Sequence, residues 1–191
     1  EKDYNHGIKY LDSKLSKIKN PNVKMIFDLA NFYKNSKNYD KAIKYYTQII
    51  STLDSSLKIK SDLLYRRGGS YERMGNYEKA DRDLFHSLEI NPNDAYTLNY
   101  LAYSWLERDY KITEAMDMLK RAYDLKSNDA YIIDSIGWAY FLIENYVEAE
   151  KYLIRAVKLM PDDPVVNDHY GDILWKLNHK IQARYFWNNV L

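Results

Sequence analysis

The stretch YIIDSIGWAYFLIENYVEAEKYLIRAVKLMPDD, residues 131–163, decides the fold. It is rich in helix formers, and Trp138, Tyr140 and Phe141 crowd into a single turn. One helix face buries only some of such a set, so the others either pack on a neighbouring helix or stand in the open. Gly137 and Ala149 are the smallest residues of the run and give it a register that can be sought elsewhere in the chain.

That register recurs. Ala42, Ala80, Ala115, Ala149 and Ala183 are separated by 38, 35, 34 and 34 residues. Four positions after each stands a large side chain: Tyr46, Leu84, Leu119, Leu153 and Trp187. Nine or ten positions before each stands Tyr33, Tyr71, Trp105, Tyr140 or Leu174, and three residues earlier Ala30, Gly68, Ala102, Gly137 or Gly171. The four prolines, Pro21, Pro92, Pro161 and Pro164, all fall between helical patterns. Small residues on both helices of a pair let antiparallel backbones approach closely, while the aromatics wedge the next pair.

The 34-residue period and the pattern L-G-x2-Y, A-x3-F and P resemble the tetratricopeptide repeat. LLYRRGGSYERMGNYEKADRDLFHSLEINPND, residues 63–94, is a second close copy. The resemblance implies an all-α fold, a right-handed α-solenoid of antiparallel helix pairs with about five and a half repeats. The repeats are expected at 23–57, 61–94, 95–129, 130–163 and 164–191 of a single solenoid spanning 1–191. Residues 1–22 are read as the second helix of a preceding repeat, with Gly7 in the Ala slot. The spacing of 38 predicts a longer connection around Ser51–Lys60, and the extra residue in ERDYKITEA a longer turn near Asp109.

Composition narrows the function. At 46% hydrophobic and 29% charged residues, the 191-residue chain has apolar material enough to fold. Its 28 basic and 27 acidic residues nearly cancel, which argues against a nucleic-acid partner and its concentrated basic field. No apolar run approaches the 18 or so residues of a transmembrane helix. Cysteine is absent, which removes disulfides, zinc-thiolate sites and thiol nucleophiles together. The start EKDYNHG, without Met, reads as a cut from something longer.

Catalytic constellations are thin. No phosphate loop, nucleophile elbow or HExxH occurs. NDHYGD places Asp168, His169 and Asp172 within one turn, but only two of them share a face, and a metal needs three or four converging ligands. That segment is expected to be a solvated first turn with its acids near the positive helix end. Neither an enzyme activity, a metal nor a cofactor is expected. Arg67 departs from the pattern: it fills a slot held by Leu29, Leu101 and Ile136 in sister repeats. A guanidinium there needs an anion, and Asp83 stands opposite on the second helix, so an Arg67–Asp83 structural pair is expected.

In tetratricopeptide architecture the first helix of each repeat lines the concave surface at its second, fifth, ninth and twelfth positions. The resemblance therefore implies an inner row of Lys24, Phe27, Asn31 and Lys34, then Asp62, Tyr65, Gly69 and Glu72. Three further sets follow: Tyr96, Asn99, Tyr103 and Leu106; Tyr131, Asp134, Trp138 and Phe141; Val165, Asp168, Asp172 and Trp175. Tyr140 belongs to the packing set, whereas Tyr96, Tyr103, Tyr131, Trp138, Phe141 and Trp175 form an aromatic strip over the last three repeats. Tyr and Trp offer rigid contact area with a polar handle, the usual make-up of binding hot spots. Asn99, Asp134 and Asp168 share one slot and form a ladder whose acids favour Lys or Arg in a bound protein or peptide.

Residues 130–191, with DSIGWAYF and ARYFWNNVL, resemble the closing repeats of a bacterial group of exported or lipid-anchored tetratricopeptide proteins, some of them adaptors. This implies a bacterial origin and leans towards the cell envelope, with the cytoplasm as the alternative. The expected function is a non-catalytic adaptor or scaffold that grips a protein segment in its concave groove. Two alternatives are a docking arm of a larger enzyme and an assembly subunit working through its convex face and ends. In the final helix Ile181, Tyr185, Val190 and Leu191 are expected to lie uncovered, a route to self-association.

Overall fold

The structure, a computed structural model, describes residues 4–15, 17–19, 21–53 and 58–188. Among the described residues there are eleven helices and no strand. The chain divides into two compact units, Glu1–Pro92 and Asn93–Leu191.

The first unit holds α1 (Tyr4–Leu15), α2 (Val23–Asn35), α3 (Tyr39–Ile50), α4 (Lys58–Arg73) and α5 (Tyr77–Ile90). The second holds α6 (Ala95–Leu106), α7 (Ile112–Leu125), α8 (Ala130–Leu142), α9 (Tyr146–Leu159), α10 (Pro164–Lys176) and α11 (Lys180–Asn188). Each helix packs on the next within its unit, with α2 on α3, α4 on α5, α6 on α7, α8 on α9 and α10 on α11 as the most intimate pairs.

The turns inside these pairs are copies of one another. The amide after each turn returns to a carbonyl five residues back: Asn38 to Tyr33 (2.8 Å), Asn76 to Tyr71 (2.9 Å), Tyr110 to Trp105 (2.9 Å), Asn145 to Tyr140 (2.9 Å) and His179 to Leu174 (2.8 Å). This is the six-to-one closure that ends a helix on a left-handed residue. The left-handed residues are Lys37, Gly75, Glu144 and Asn178. Asn38, Asn76 and Asn145 then cap the second helix by accepting the amides of Lys41, Lys79 and Glu148. The α6–α7 turn is longer, 107–111 against three residues elsewhere, and both Asp109 and Lys111 take positive φ there. The inserted residue of ERDYKITEA is absorbed at that point.

Connections between pairs end in acidic caps. Asp129 accepts the amides of Tyr131 and Ile132, and Asp163 those of Val165 and Val166. Pro164 sits at the start of α10, where its missing N–H costs nothing. The connection before α4 differs: α4 is 16 residues long, and residues 54–57 lie outside the described residues, so the expected extension there is described only in part.

Small residues set the closeness of each pair. A Cβ on Gly68 would stand 3.0 Å from Leu84 Cγ, one on Gly137 2.8 Å from Leu153 Cγ, and one on Gly171 would overlap the Trp187 indole. Ala42, Ala80, Ala115, Ala149 and Ala183 are all buried on the opposing helix. In the first unit α1 completes the packing: Gly7 lies on the Phe32 ring, and Asp12 accepts the hydroxyls of Tyr33 and Tyr45.

Arg67 grips Asp83 with two prongs, Nε to Oδ2 at 2.6 Å and Nη2 to Oδ1 at 2.8 Å. Its third nitrogen donates to Thr47 Oγ1 at 3.0 Å. The pair links α4 to α5 and to the preceding α3. Replacing Arg67 by Leu leaves the buried Asp83 carboxylate without its counter-ion and is expected to cost roughly 3 kcal/mol of stability. Urea denaturation measures it, and Arg67→Leu with Asp83→Leu is expected to recover most of the loss. A single variant as stable as wild type would mean the pair carries no such constraint.

Candidate functional site

In the second unit α6 touches α8 and α8 touches α10, whereas α7, α9 and α11 make no comparable contact with one another. Helices that meet side by side on one layer and spread on the other curve towards the layer that meets. The inner surface of this unit is therefore built by α6, α8 and α10, the helices that carry Tyr96 to Trp175.

Its centre is a stack of three rings. Trp138 lies on Phe141 at 4.7 Å between centroids and on His169 at 4.1 Å, both nearly parallel. The indole N–H donates to Glu107 Oε1 at 2.9 Å. His169 Nδ1 meets both oxygens of Asp134, at 3.0 and 2.9 Å. A carboxylate at Nδ1 calls for the proton on that nitrogen, which fixes ring orientation and tautomer. Asp134 is thus buried and held from within. It does not stand open to a ligand as the ladder expectation had it.

The remaining members of the strip are placed differently. Tyr96, Tyr131 and Val165 hold the same slot on α6, α8 and α10, and all three are exposed. Tyr96 is anchored: its hydroxyl donates to Asp129 Oδ2 at 3.1 Å, Lys126 Nζ donates to it at 3.1 Å, and Lys126 covers the ring at 4.4 Å. Tyr103 is half-buried. Trp175 is exposed, with Trp187 tilted against it at 5.4 Å and Lys180 over its ring at 5.2 Å. The three ladder residues have three fates. Asn99 keeps a sealed Oδ1 with no donor among the described residues, Asp134 pairs with His169, and Asp168 is exposed.

Asp172, half-buried one turn beyond Asp168, accepts from Trp187 Nε1 at 3.2 Å. Burial pushes its carboxyl above the ordinary aspartate range, and the charge of Asp168 pushes it further; the Trp187 hydrogen bond, His169 and Lys176 oppose this. NDHYGD is therefore not a solvated first turn. Asp168 is exposed, Asp172 is partly desolvated, and His169 is only 6% exposed. His169 is the residue that sequence reasoning undervalued. Its one signal was spacing: it stands 35 residues after Asp134, one repeat and one position, which carries it to the neighbouring helix. Among the described residues no group of three or more His, Asp or Glu side chains is gathered to hold a metal.

In the first unit, several residues of the expected inner row are held by their own neighbours. Arg66 pairs with Asp62 at 2.8 Å, reaches Asn31 at 3.4 Å and covers the Phe27 ring at 5.4 Å, while Tyr46 donates to Asn31 at 2.7 Å. Lys34 beside it is held below its ordinary pKa by burial and by Arg66.

On the outer layer Ile181 and Tyr185 are exposed. Val147, in the Ile181 slot of the preceding pair, is 65% exposed although α10 follows it, against 83% for Ile181. Exposure therefore belongs to that outward slot. Val190 and Leu191 lie outside the described residues.

Residues 23–52 and 61–94 match the family model of the tetratricopeptide repeat. A TPR repeat-containing protein of Pseudomonas aeruginosa is 31% identical over 111 residues, 58% of this chain and 19% of that one. A TPR repeat-containing protein of Methanocaldococcus jannaschii is 36% identical over 80 residues, 42% of this chain and 13% of that one. Among solved structures, a tetratricopeptide repeat protein from Parabacteroides merdae superposes with a TM-score of 0.76 at 18% identity, covering 98% of this chain and 72% of that one. Pseudomonas aeruginosa pilF does so at 0.74 and 18%, covering 88% and 74%. Residues 23–52 and 61–94 thus carry the tetratricopeptide repeat, and the fold is all-α, of the tetratricopeptide solenoid class. It spans about a fifth or less of the length of the curated relatives it matches.

Because Asp172 holds its proton more tightly in the folded than in the unfolded chain, its contribution favours folding most below the ordinary carboxylate pKa. That contribution is lost as pH rises through the shifted value. Asp172→Asn keeps an acceptor for Trp187 and removes the charge, so the variant is expected to melt higher than wild type at pH 7. The difference should shrink as the pH falls through the carboxylate range. Thermal melts at pH 3 to 7 give the sign; a variant less stable than wild type at pH 7 would contradict it.

Proposed function

We propose that the protein is a non-catalytic interaction module whose second unit holds a protein or peptide segment against α6, α8 and α10. Tetratricopeptide repeats generally serve as protein–protein interaction modules, and the relatives share that repeat. The observation that carries the reading is the exposed row of Tyr96, Tyr131 and Val165, one residue per inner helix, beside the ring stack and Trp175. Large apolar side chains left open in register on an inward-curving surface form a patch of the kind that marks an interaction site. The stack supplies rigidity, since Trp138, His169 and Phe141 are already ordered before a ligand arrives and little entropy remains to be lost.

Tyr131 and Trp175 can be truncated without opening the core, so the site can be tested apart from stability. Tyr131→Ala with Trp175→Ala is expected to leave the melting curve nearly unchanged, as exposed substitutions do. It is expected to weaken capture of a partner from the source organism's lysate by about tenfold or more, roughly 1.4 kcal/mol. A partner held equally by both proteins would move the site to the outer layer, where Val147, Ile181 and Tyr185 stand open.

A further inference from the structure

We propose that the outer face of α1, in the first unit, is a docking surface for a membrane that carries anionic lipid. Residues 4–27 hold five lysines and one acid, Asp12. That acid is turned inward, where it accepts the hydroxyls of Tyr33 and Tyr45, and Ile8, Leu11 and Leu15 pack on the core beside it. The opposite face carries His6, Lys9, Tyr10, Ser13, Lys14 and, just past the helix end, Lys17, all of them exposed. Steps of three and four residues set these side chains in one stripe. Among the described residues Lys9, Lys14 and Lys17 form no ion pair. The same six side chains line an open hollow of about 330 Å3. Cations and hydroxyls without a carboxylate suit a phosphate group, which accepts from all of them.

Register separates this face from those of the sister helices. Seven positions after the small residue of α3, α5, α7 and α9 stand Ile49, Ser87, Ala122 and Ala156, all buried, and Ser87 is bonded to Ser61 of α4. In α1 the same place is held by Lys14, which is exposed. A helix closing over it would bury an ammonium group, at a cost that a neutral side chain does not carry. A lipid surface meets it otherwise, since the lysine stem lies along the boundary while its charge stays among headgroups and water. The hollow is walled by α1 and Lys17 alone, so it offers no second element to flank a peptide as a groove does. Tyr10 is 59% exposed within the stripe, and Ile18 and Val23 are exposed just beyond it. Tyrosine favours the headgroup boundary, and apolar side chains among lysines are the make-up of helices that lie in it.

The charge balance agrees. The whole chain is nearly neutral, yet residues 1–92 carry 17 Lys and Arg against 12 Asp and Glu, whereas residues 93–191 carry 11 against 15. An anionic surface therefore attracts the first unit and repels the second. Each lysine that reaches such a surface strengthens binding by about fivefold.

The test is flotation of the intact chain with vesicles made of equal parts phosphatidylglycerol and phosphatidylcholine, beside vesicles of phosphatidylcholine alone. The chain is expected to float with the first and not with the second, and to be released as sodium chloride screens the attraction. The Lys9→Gln, Lys14→Gln, Lys17→Gln variant should bind the anionic vesicles at least about thirtyfold more weakly, with far-ultraviolet circular dichroism unchanged. Lys120→Gln, Lys151→Gln, Lys158→Gln removes the same charge from exposed positions of the second unit and should leave binding as it was. Equal flotation with both vesicles, or equal binding by wild type and the α1 variant, would overturn the proposal. Calorimetry with inorganic phosphate and with polyglutamate separates the other occupants. A chain that ignores the vesicles but binds phosphate through the three lysines would make the hollow a site for a soluble anion. One that ignores them but binds polyglutamate would assign the face to an acidic protein. Either result overturns the membrane.

Discussion

Where Gly137 of α8 faces Leu153 of α9, the space between the helices cannot hold one more carbon atom. The same holds at Gly171 against Trp187, and Gly68 stands nearly as tightly against Leu84. This close approach governs the rest. It brings the two backbones of a pair together, so the large residue of the second helix packs directly on the first. A methyl group there would push the helices apart, and the displacement would pass to the next pair through the Tyr33, Tyr71, Trp105, Tyr140 and Leu174 slot. That slot both packs and closes the turn.

Because the constraint is local and repeats, it was written in the sequence as a period. Small residues 34 to 38 apart, with a large residue four places on, gave the helix pairs and their packing faces without any long-range information. The turns rest on an equally local device, a left-handed residue followed by Asn, which the structure shows recurring. Long-range features were harder to read. Whether Ile181 is exposed because a neighbour is missing, or because its slot always faces outward, depends on comparing it with Val147 in space. Sequence order alone gave no such comparison.

The inner surface shows the limit more sharply. Asn99, Asp134 and Asp168 occupy one register position, and a periodic argument assigns them one role. Their surroundings differ because the residue one repeat and one position further on differs. For Asp134 it is His169, which donates to it and draws it into the interior. For Asn99 it is Asp134, an acceptor that cannot satisfy Asn99 Oδ1. Register gives the direction of a side chain, and the identity of the next repeat's side chain decides whether it stays open. The same logic holds part of the first unit's row, where Arg66 and Asp62 bind each other across Asn31 and Phe27.

The contrast between the two units bears on why the second one keeps an unfavourable arrangement. Carboxylates one turn apart, one of them partly desolvated, subtract from stability, and the first unit shows that the scaffold can pair such groups internally. Polar groups held against their own electrostatics are a mark of sites that act on something else. In a repeat protein this arrangement is tolerable because each pair leans only on its neighbours. The penalty at Asp172 is confined to α10 and α11, while the glycine contacts that hold the other pairs are untouched. The ring stack at His169 then joins α10 to the ordered face of α8, where Trp138 and Asp134 hold the imidazole.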